Sequence, residues 1–133
     1  MLQGDFFTIS NIETAGSEVK AELIINAGHK IFDGHFPGQP VVPGVCMMQM
    51  VKEIIEQVTE KKMNLIKSPE MKFLAIINPS QNNTISATLK YAIGENQNMI
   101  VTAVLFKDEL THFKFKGLFV FQELTSNFVD LIY

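Results

Sequence analysis

The pattern of the chain predicts an α+β architecture, with one long antiparallel sheet curled around a single enclosed helix. Two observations carry that prediction. One segment, residues 44–60, repeats its apolar residues with helical spacing over several turns, and from residue 71 onward apolar residues alternate along runs separated by short turns. Strands of that length joined by short turns pair antiparallel. A sheet with one apolar face must cover it, and the helix is the element that can do so.

Taken in order, residues 6–9 read as a short first strand. Val19, Ala21, Leu23 and Ile25 then alternate with Lys20 and Glu22, the pattern of a half-buried strand. A glycine- and proline-rich loop follows over 28–43. In the helix, Val45, Met47, Met48, Val51, Ile54, Ile55 and Val58 cover most of the circumference, while Lys52, Glu53, Glu56, Gln57 and Glu60 form a polar stripe confined mainly to the second half. A helix apolar all round at its start is enclosed there. Pro43 suits the helix start, where its missing N–H has no intrahelical partner in any case. After Pro69, residues 71–77 read as a strand closed by Asn78-Pro79. Ile85, Ala87, Leu89 and Tyr91 alternate along the next, residues 94–98 turn, and 99–106 are apolar on both faces. Phe113, Phe115, Phe119 and Phe121 alternate along the last.

Residues 1–133 fit one domain, long enough for one real core. Apolar residues make up 47% and charged residues 19%, the balance of a folded, soluble protein. The net charge of −3, from 11 basic and 14 acidic residues, offers no broad basic surface for nucleic acid. A single cysteine, Cys46, excludes an internal disulfide and a cysteine-based zinc site. Residues 1–10 lack the basic start and apolar stretch of a signal peptide. The most apolar run, 40–51, is interrupted and far short of the ~20 residues that span a bilayer, so no membrane span and a cytoplasmic address are expected. Lys107-Asp108-Glu109-Leu110 is internal and is no retention signal. The glycine-rich loop lacks both the Walker lysine and dinucleotide glycine spacing, which argues against phosphate binding. No metal or cofactor is implied.

One segment is highly specific. Gly34-His35-Phe36-Pro37-Gly38-Gln39-Pro40-Val41-Val42-Pro43-Gly44-Val45 resembles the signature of bacterial 3-hydroxyacyl-[acyl carrier protein] dehydratases, with its prolines and glycines at fixed spacing. Phe32-Asp33 before it and Lys72-Phe73 with Pro79 after it extend the likeness more weakly, over about residues 19–121. The resemblance implies a hotdog fold, dimerisation through sheet edges and sites at the dimer interface. It implies that His35 removes the α-proton of an acyl thioester, that backbone N–H groups around Gly44 and Val45 polarise the thioester carbonyl, and that Phe36, Val45 and Met48 line the acyl cleft. Charge develops on that oxygen as the enolate forms, and a helix N-terminus supplies oriented donors and positive potential.

By the same resemblance, a carboxylate from the other subunit, early in its helix, protonates the leaving hydroxyl, and its position here is Gln49. Glutamine can hydrogen-bond a hydroxyl but has no proton to give near neutral pH. General acid–base assistance is worth ~10²–10⁴ in rate, so an otherwise intact site is slowed by about that much. Glu53 shares the helix face and is a possible substitute acid, but only if register or substrate shifts by one turn, ~5–6 Å. Gln49 is expected to face the cleft, although its spacing also lets it open the polar stripe.

Other reactive residue types have plainer readings. His29 reads as a loop residue near the cleft, and His112, on a strand with Lys114 and Lys116, as solvated. Cys46, with apolar neighbours, reads as a buried structural thiol. Met47, Met48 and Met50 suit core or acyl-tunnel lining, and Lys61 and Lys62 a solvated helix end. Three functions remain open. The first is a dehydratase of 3-hydroxyacyl thioesters on acyl carrier protein or coenzyme A, active as a homodimer despite Gln49. The second is a non-catalytic acyl-binding or partner subunit that forms a heterodimer with a paralogous hotdog protein. The third is a hotdog thioesterase, in which Gln49 positions water.

Overall fold

The computed structural model describes residues 1–34, 40–94, 96 and 98–122. Six strands form one sheet: β1 (Phe7–Ala15), β2 (Glu18–Ile25), β3 (Met63–Phe73), β4 (Thr84–Ile93), β5 (Asn98–Lys107) and β6 (Leu110–Phe121). Their order is β1-β2-β4-β5-β6-β3, and each described pairing is antiparallel. The helix α1 (Gly44–Thr59) connects β2 to β3 and so carries the chain from one side of the sheet to its far edge.

Alternation sets the core. Val19, Ala21, Leu23 and Ile25 of β2, Ile85, Ala87 and Leu89 of β4, and Met99, Val101, Ala103 and Leu105 of β5 are buried together with Cys46, Met47, Met50, Val51, Ile54 and Ile55 of α1. Met50, Ile54 and Ile55 have no solvent exposure. Truncating one of them to alanine costs ~2–5 kcal/mol, because the enclosed helix leaves the void nowhere to collapse. The helix stops where Glu60 turns left-handed (φ 57, ψ 32), one residue before Lys61. The turn between β5 and β6 is made by Asp108 and Glu109, so the Lys107–Leu110 string is a hairpin tip.

Two strand expectations are corrected. The first strand runs to Ala15 rather than Ile9, because β2 offers it a ladder with one bulge between Ile9 and Asn11. The strand expected at 71–77 begins at Met63 and ends at Phe73. Pro69 does not break it, since among the described residues β3 pairs with β6 alone and an edge strand tolerates a missing donor. The register slips between Lys67 and Glu70, and Ser68 Oγ donates to Lys116 O at 2.7 Å across the irregularity. Beyond Phe73 the backbone leaves the ladder: Leu74 N and Ala75 N both donate to His112 O.

His112 is also corrected. It is 5% exposed, and its Nδ1 lies 3.2 Å from Ala75 O. The departing 74–77 segment covers the face of β6 that simple alternation would leave in water. Among the described residues no helix is long and apolar enough to cross a membrane.

Candidate functional site

The start of α1 is built as an open donor site. Pro43 is the N-cap residue, extended at φ −61 and ψ 145, and its side chain caps nothing. Pro43 O takes the N–H groups of Cys46 and Met47 at 3.0 and 3.2 Å. Among the described residues none accepts from the N–H of Gly44 or Val45, and no acidic residue stands in the first turn. Two backbone donors therefore remain at the positive end of the helix dipole.

That end is held against the edge of the sheet. Val42 N donates to Ile77 O at 3.0 Å, and the Phe73 ring lies against Gly44 so closely that a Cβ there would sit 2.7 Å from Phe73 Cε1. Glycine at 44 is what allows β3 to touch the helix start. Phe73 stacks on Phe113 with ring centroids 5.0 Å apart, linking this corner to the aromatic core of β6. Val45 is 70% exposed and Met48 half-buried.

One turn further along α1, the polar residues form a closed cluster. Gln49 Nε2 donates to Glu53 Oε2 at 2.8 Å. Leu2 N donates to both carboxylate oxygens, at 3.0 and 2.8 Å, and Gln3 N donates to Oε1 at 2.8 Å. Glu53 is only 3% exposed, so it does not belong to a solvated stripe as its spacing suggested. A buried carboxylate needs such donors, because leaving it unpaired costs several kcal/mol. As a substitute acid it is poorly placed, with its oxygens already engaged. Sequence spacing cannot reveal this, since the donors are backbone groups some fifty residues away; the observed helix face links 49 to 53, but nothing in the sequence marks Leu2 or Gln3.

The remaining candidates are structural. Cys46 is buried, and burial pushes its thiol up, which suppresses the thiolate. His29 caps the short 3-10 turn Lys30–Phe32: its Nδ1 accepts from Ile31 N at 3.0 Å and its Nε2 meets Asp5 Oδ2 at 2.9 Å. With Nδ1 accepting, Nε2 carries the proton and donates to the carboxylate. Its ring sits edge-on to Phe6 at 5.5 Å. Met47 and Met50 are core residues; Lys61 and Lys62 are exposed, with Lys61 Nζ 4.8 Å above the Phe121 ring. His35 and Phe36 lie outside the described residues.

Comparison with known proteins identifies the family and the fold. The ApeI-like family, described as ApeI dehydratase, matches residues 11–112. The 3-hydroxyacyl-[acyl-carrier-protein] dehydratase FabZ of Blochmanniella floridana is 24% identical over 103 residues, covering 77% of this chain and 64% of that protein. Its counterpart from Pectobacterium atrosepticum is 22% identical over 102 residues, covering 77% and 63%. The chain thus spans under two thirds of the length of these curated relatives. Among solved structures, the dehydratase heterocomplex ApeI:P from Xenorhabdus doucetiae aligns with TM-score 0.68 and 21% identity, over 84% of this chain and 96% of that one. Cj0977, a virulence protein from Campylobacter jejuni, aligns with TM-score 0.65 and 15% identity, over 90% and 85%. A putative thioesterase from Shewanella oneidensis aligns with TM-score 0.56 and 9% identity, over 88% and 83%. These structural likenesses establish the hotdog fold. With a family match that takes in β2, the helix start and β3 to β5, the chain belongs to the ApeI-like dehydratase family.

Proposed function

We propose that this chain is a dehydratase-type subunit that binds 3-hydroxyacyl thioesters and whose site is completed by a second, acid-bearing hotdog subunit. The observation that carries this reading is the hydrogen bond from Gln49 to Glu53. It leaves no free protonatable group at the acid's position on this helix. The donors at Gly44 and Val45 remain available for the thioester oxygen, and the motif retains His35. A solved relative of the same fold is itself a dehydratase heterocomplex, which supports pairing with a paralogue.

In this mechanism His35 takes the α-proton, and the Gly44 and Val45 N–H groups stabilise the enolate oxygen as charge develops there. The partner subunit's carboxyl protonates the leaving hydroxyl, and water departs. Phe36, Val45 and Met48 hold the acyl chain, whose carrier is acyl carrier protein or coenzyme A. The outer edge of β3, which no described strand pairs, is the contact through which the subunits join.

The test is a turnover assay on the chain alone, on the chain with its paralogue, and on Gln49→Glu. Alone, it is expected to dehydrate 3-hydroxyacyl thioesters ~10²–10⁴-fold more slowly than the mixed assembly. Gln49→Glu sets a second carboxyl beside Glu53, and two carboxyls in hydrogen-bond reach share a proton rather than both ionise. The new group is held protonated, so the homodimer gains about 10²-fold. Full activity of the chain alone, indifferent to Gln49→Glu, would defeat the proposal. Release of free acid instead of the enoyl thioester would point to a thioesterase.

A further inference from the structure

We infer that Glu53 is a positioning residue that turns Gln49 into a fixed hydrogen-bond acceptor, by which the site selects acyl chains that carry a 3-hydroxyl. The inference rests on the acyl-thioester reading above and concerns the sites in which this chain's own helix, rather than the partner subunit's, stands against the hydroxyl. A carboxylate only accepts, so the Gln49 amide must turn its NH₂ toward Glu53 Oε2, as it does at 2.8 Å. A flipped amide would set two acceptor oxygens against each other in a buried place. Glu53 itself cannot turn away, because Leu2 N and Gln3 N, consecutive donors on one turn, grip both its oxygens. That turn is closed by its own bonds, Phe6 N to Leu2 O at 2.8 Å and Gly4 N to Phe7 O at 2.7 Å.

With its NH₂ committed, Gln49 offers its Oε1, to which no described residue donates a hydrogen bond. The half-buried side chain therefore presents an acceptor with one orientation. An acid at this position gives its proton to the hydroxyl oxygen and helps it leave. An acceptor receives a hydrogen bond from the hydroxyl, which keeps its proton, and holds the oxygen in place. The same helix position thus changes from releasing the hydroxyl to retaining it, and Glu53 sets which of the two it does.

Calorimetry with non-hydrolysable 3-hydroxyacyl-pantetheine analogues of several chain lengths, and with their 3-deoxy counterparts, tests this on the purified protein. Wild type is expected to favour the hydroxylated analogue roughly 2- to 10-fold, the worth of one neutral hydrogen bond. Glu53→Gln frees the Gln49 amide to turn and should erase that preference while leaving 3-deoxy binding unchanged. Gln49→Met, which keeps side-chain length and the backbone grip on Glu53, should erase it too and guards against a Glu53 variant that fails to fold. The Gln49 side-chain amide protons, slow to exchange with water in wild type, should exchange fast in Glu53→Gln. A merely structural Glu53 would lower both affinities together and move the melting temperature without touching the preference, and that result overturns the inference. So does equal binding of both analogues to wild type, which leaves the acyl-thioester reading standing. Failure of wild type to bind either analogue defeats that reading and this inference together.

Discussion

β1 and β3 close the same sheet at its two edges and meet solvent differently. Along β1 the exposed residues are Thr8, Ser10, Asn11, Glu13, Thr14 and Ala15, and a bulge between Ile9 and Asn11 interrupts the ladder. Polar side chains and a bulge are how an edge strand avoids unwanted pairing. β3 leaves Ile66 exposed before Pro69, and beyond it Met71 and Phe73 are exposed, followed by Leu74 and Ile76 and flanked by Val45 at the helix start. An apolar patch beside a donor-bearing helix end marks a surface meant to be covered. Among the described residues one edge is polar and bulged and the other apolar, and the candidate site lies beside the apolar one, which the proposed partner would cover.

The largest expected effect breaks that contrast directly. Phe73 is 52% exposed yet anchored by its stack on Phe113. Phe73→Lys puts a charge at the proposed subunit contact and should weaken association by ~2–4 kcal/mol, roughly 30- to 1,000-fold in dimer Kd. Ser10→Lys on β1 should leave association unchanged. Sedimentation of both variants over a concentration series decides it, and equal behaviour of the two would erase the distinction between the edges.

The difference between these edges was only partly legible in the sequence. The helix was, because its apolar residues recur over four turns and Pro43 marks its start: the expected 44–60 became Gly44–Thr59. The β4 and β6 strands were legible for the same reason, each having one face in water and one in the core, whereas β5, apolar on both faces in sequence, leaves Ile100 and Thr102 in solvent. β3 was misread because Pro69 stops a central strand but not an edge strand, and which strand is an edge is a property of the whole sheet. His112 and Glu53 were misread for a related reason. Periodicity assigns a residue to a face, but what covers that face is Ala75 in one case and Leu2 and Gln3 in the other. The motif at 34–45 was legible as that of a dehydratase family, while the hydrogen bond that commits Gln49 was not.

A smaller effect sharpens the contrast from beneath β3. Gly117 of β6 is buried under the edge, where a Cβ would lie 2.4 Å from Phe115 Cζ and 2.9 Å from Leu65 Cδ1. Phe115 is 1% exposed and has no room to yield. Gly117→Ala should cost ~1–3 kcal/mol in chemical denaturation. Gly44→Ala also meets an aromatic ring, that of Phe73, at 2.7 Å, but that ring is half in solvent and can swing out. It should leave stability nearly intact while weakening association. Equal losses of stability would mean that Phe73 is as fixed as Phe115, and that the β3 edge is less open than its exposure suggests.

The smallest expected effect concerns the β1 side, where His29 ties the loop after β2 to the turn before β1. Two bonds are involved: Nδ1 accepts from Ile31 N, and Nε2 meets Asp5, whose carboxylate is largely exposed. An exposed pair contributes little, ~0–1 kcal/mol, whereas a lost cap costs ~1 kcal/mol. His29→Asn keeps a side-chain acceptor for Ile31 N while giving up Asp5 and the edge-on contact with Phe6. His29→Ala gives up all three. If the cap carries the larger share, His29→Asn should melt within a degree or two of wild type and His29→Ala about 1 kcal/mol lower in stability, with dimer Kd unchanged in both. Should the two variants fall equally, the contact with Asp5 and Phe6 is what holds the loop. Should either one alter association, the β1 edge is not the finished surface that its polar strand implies.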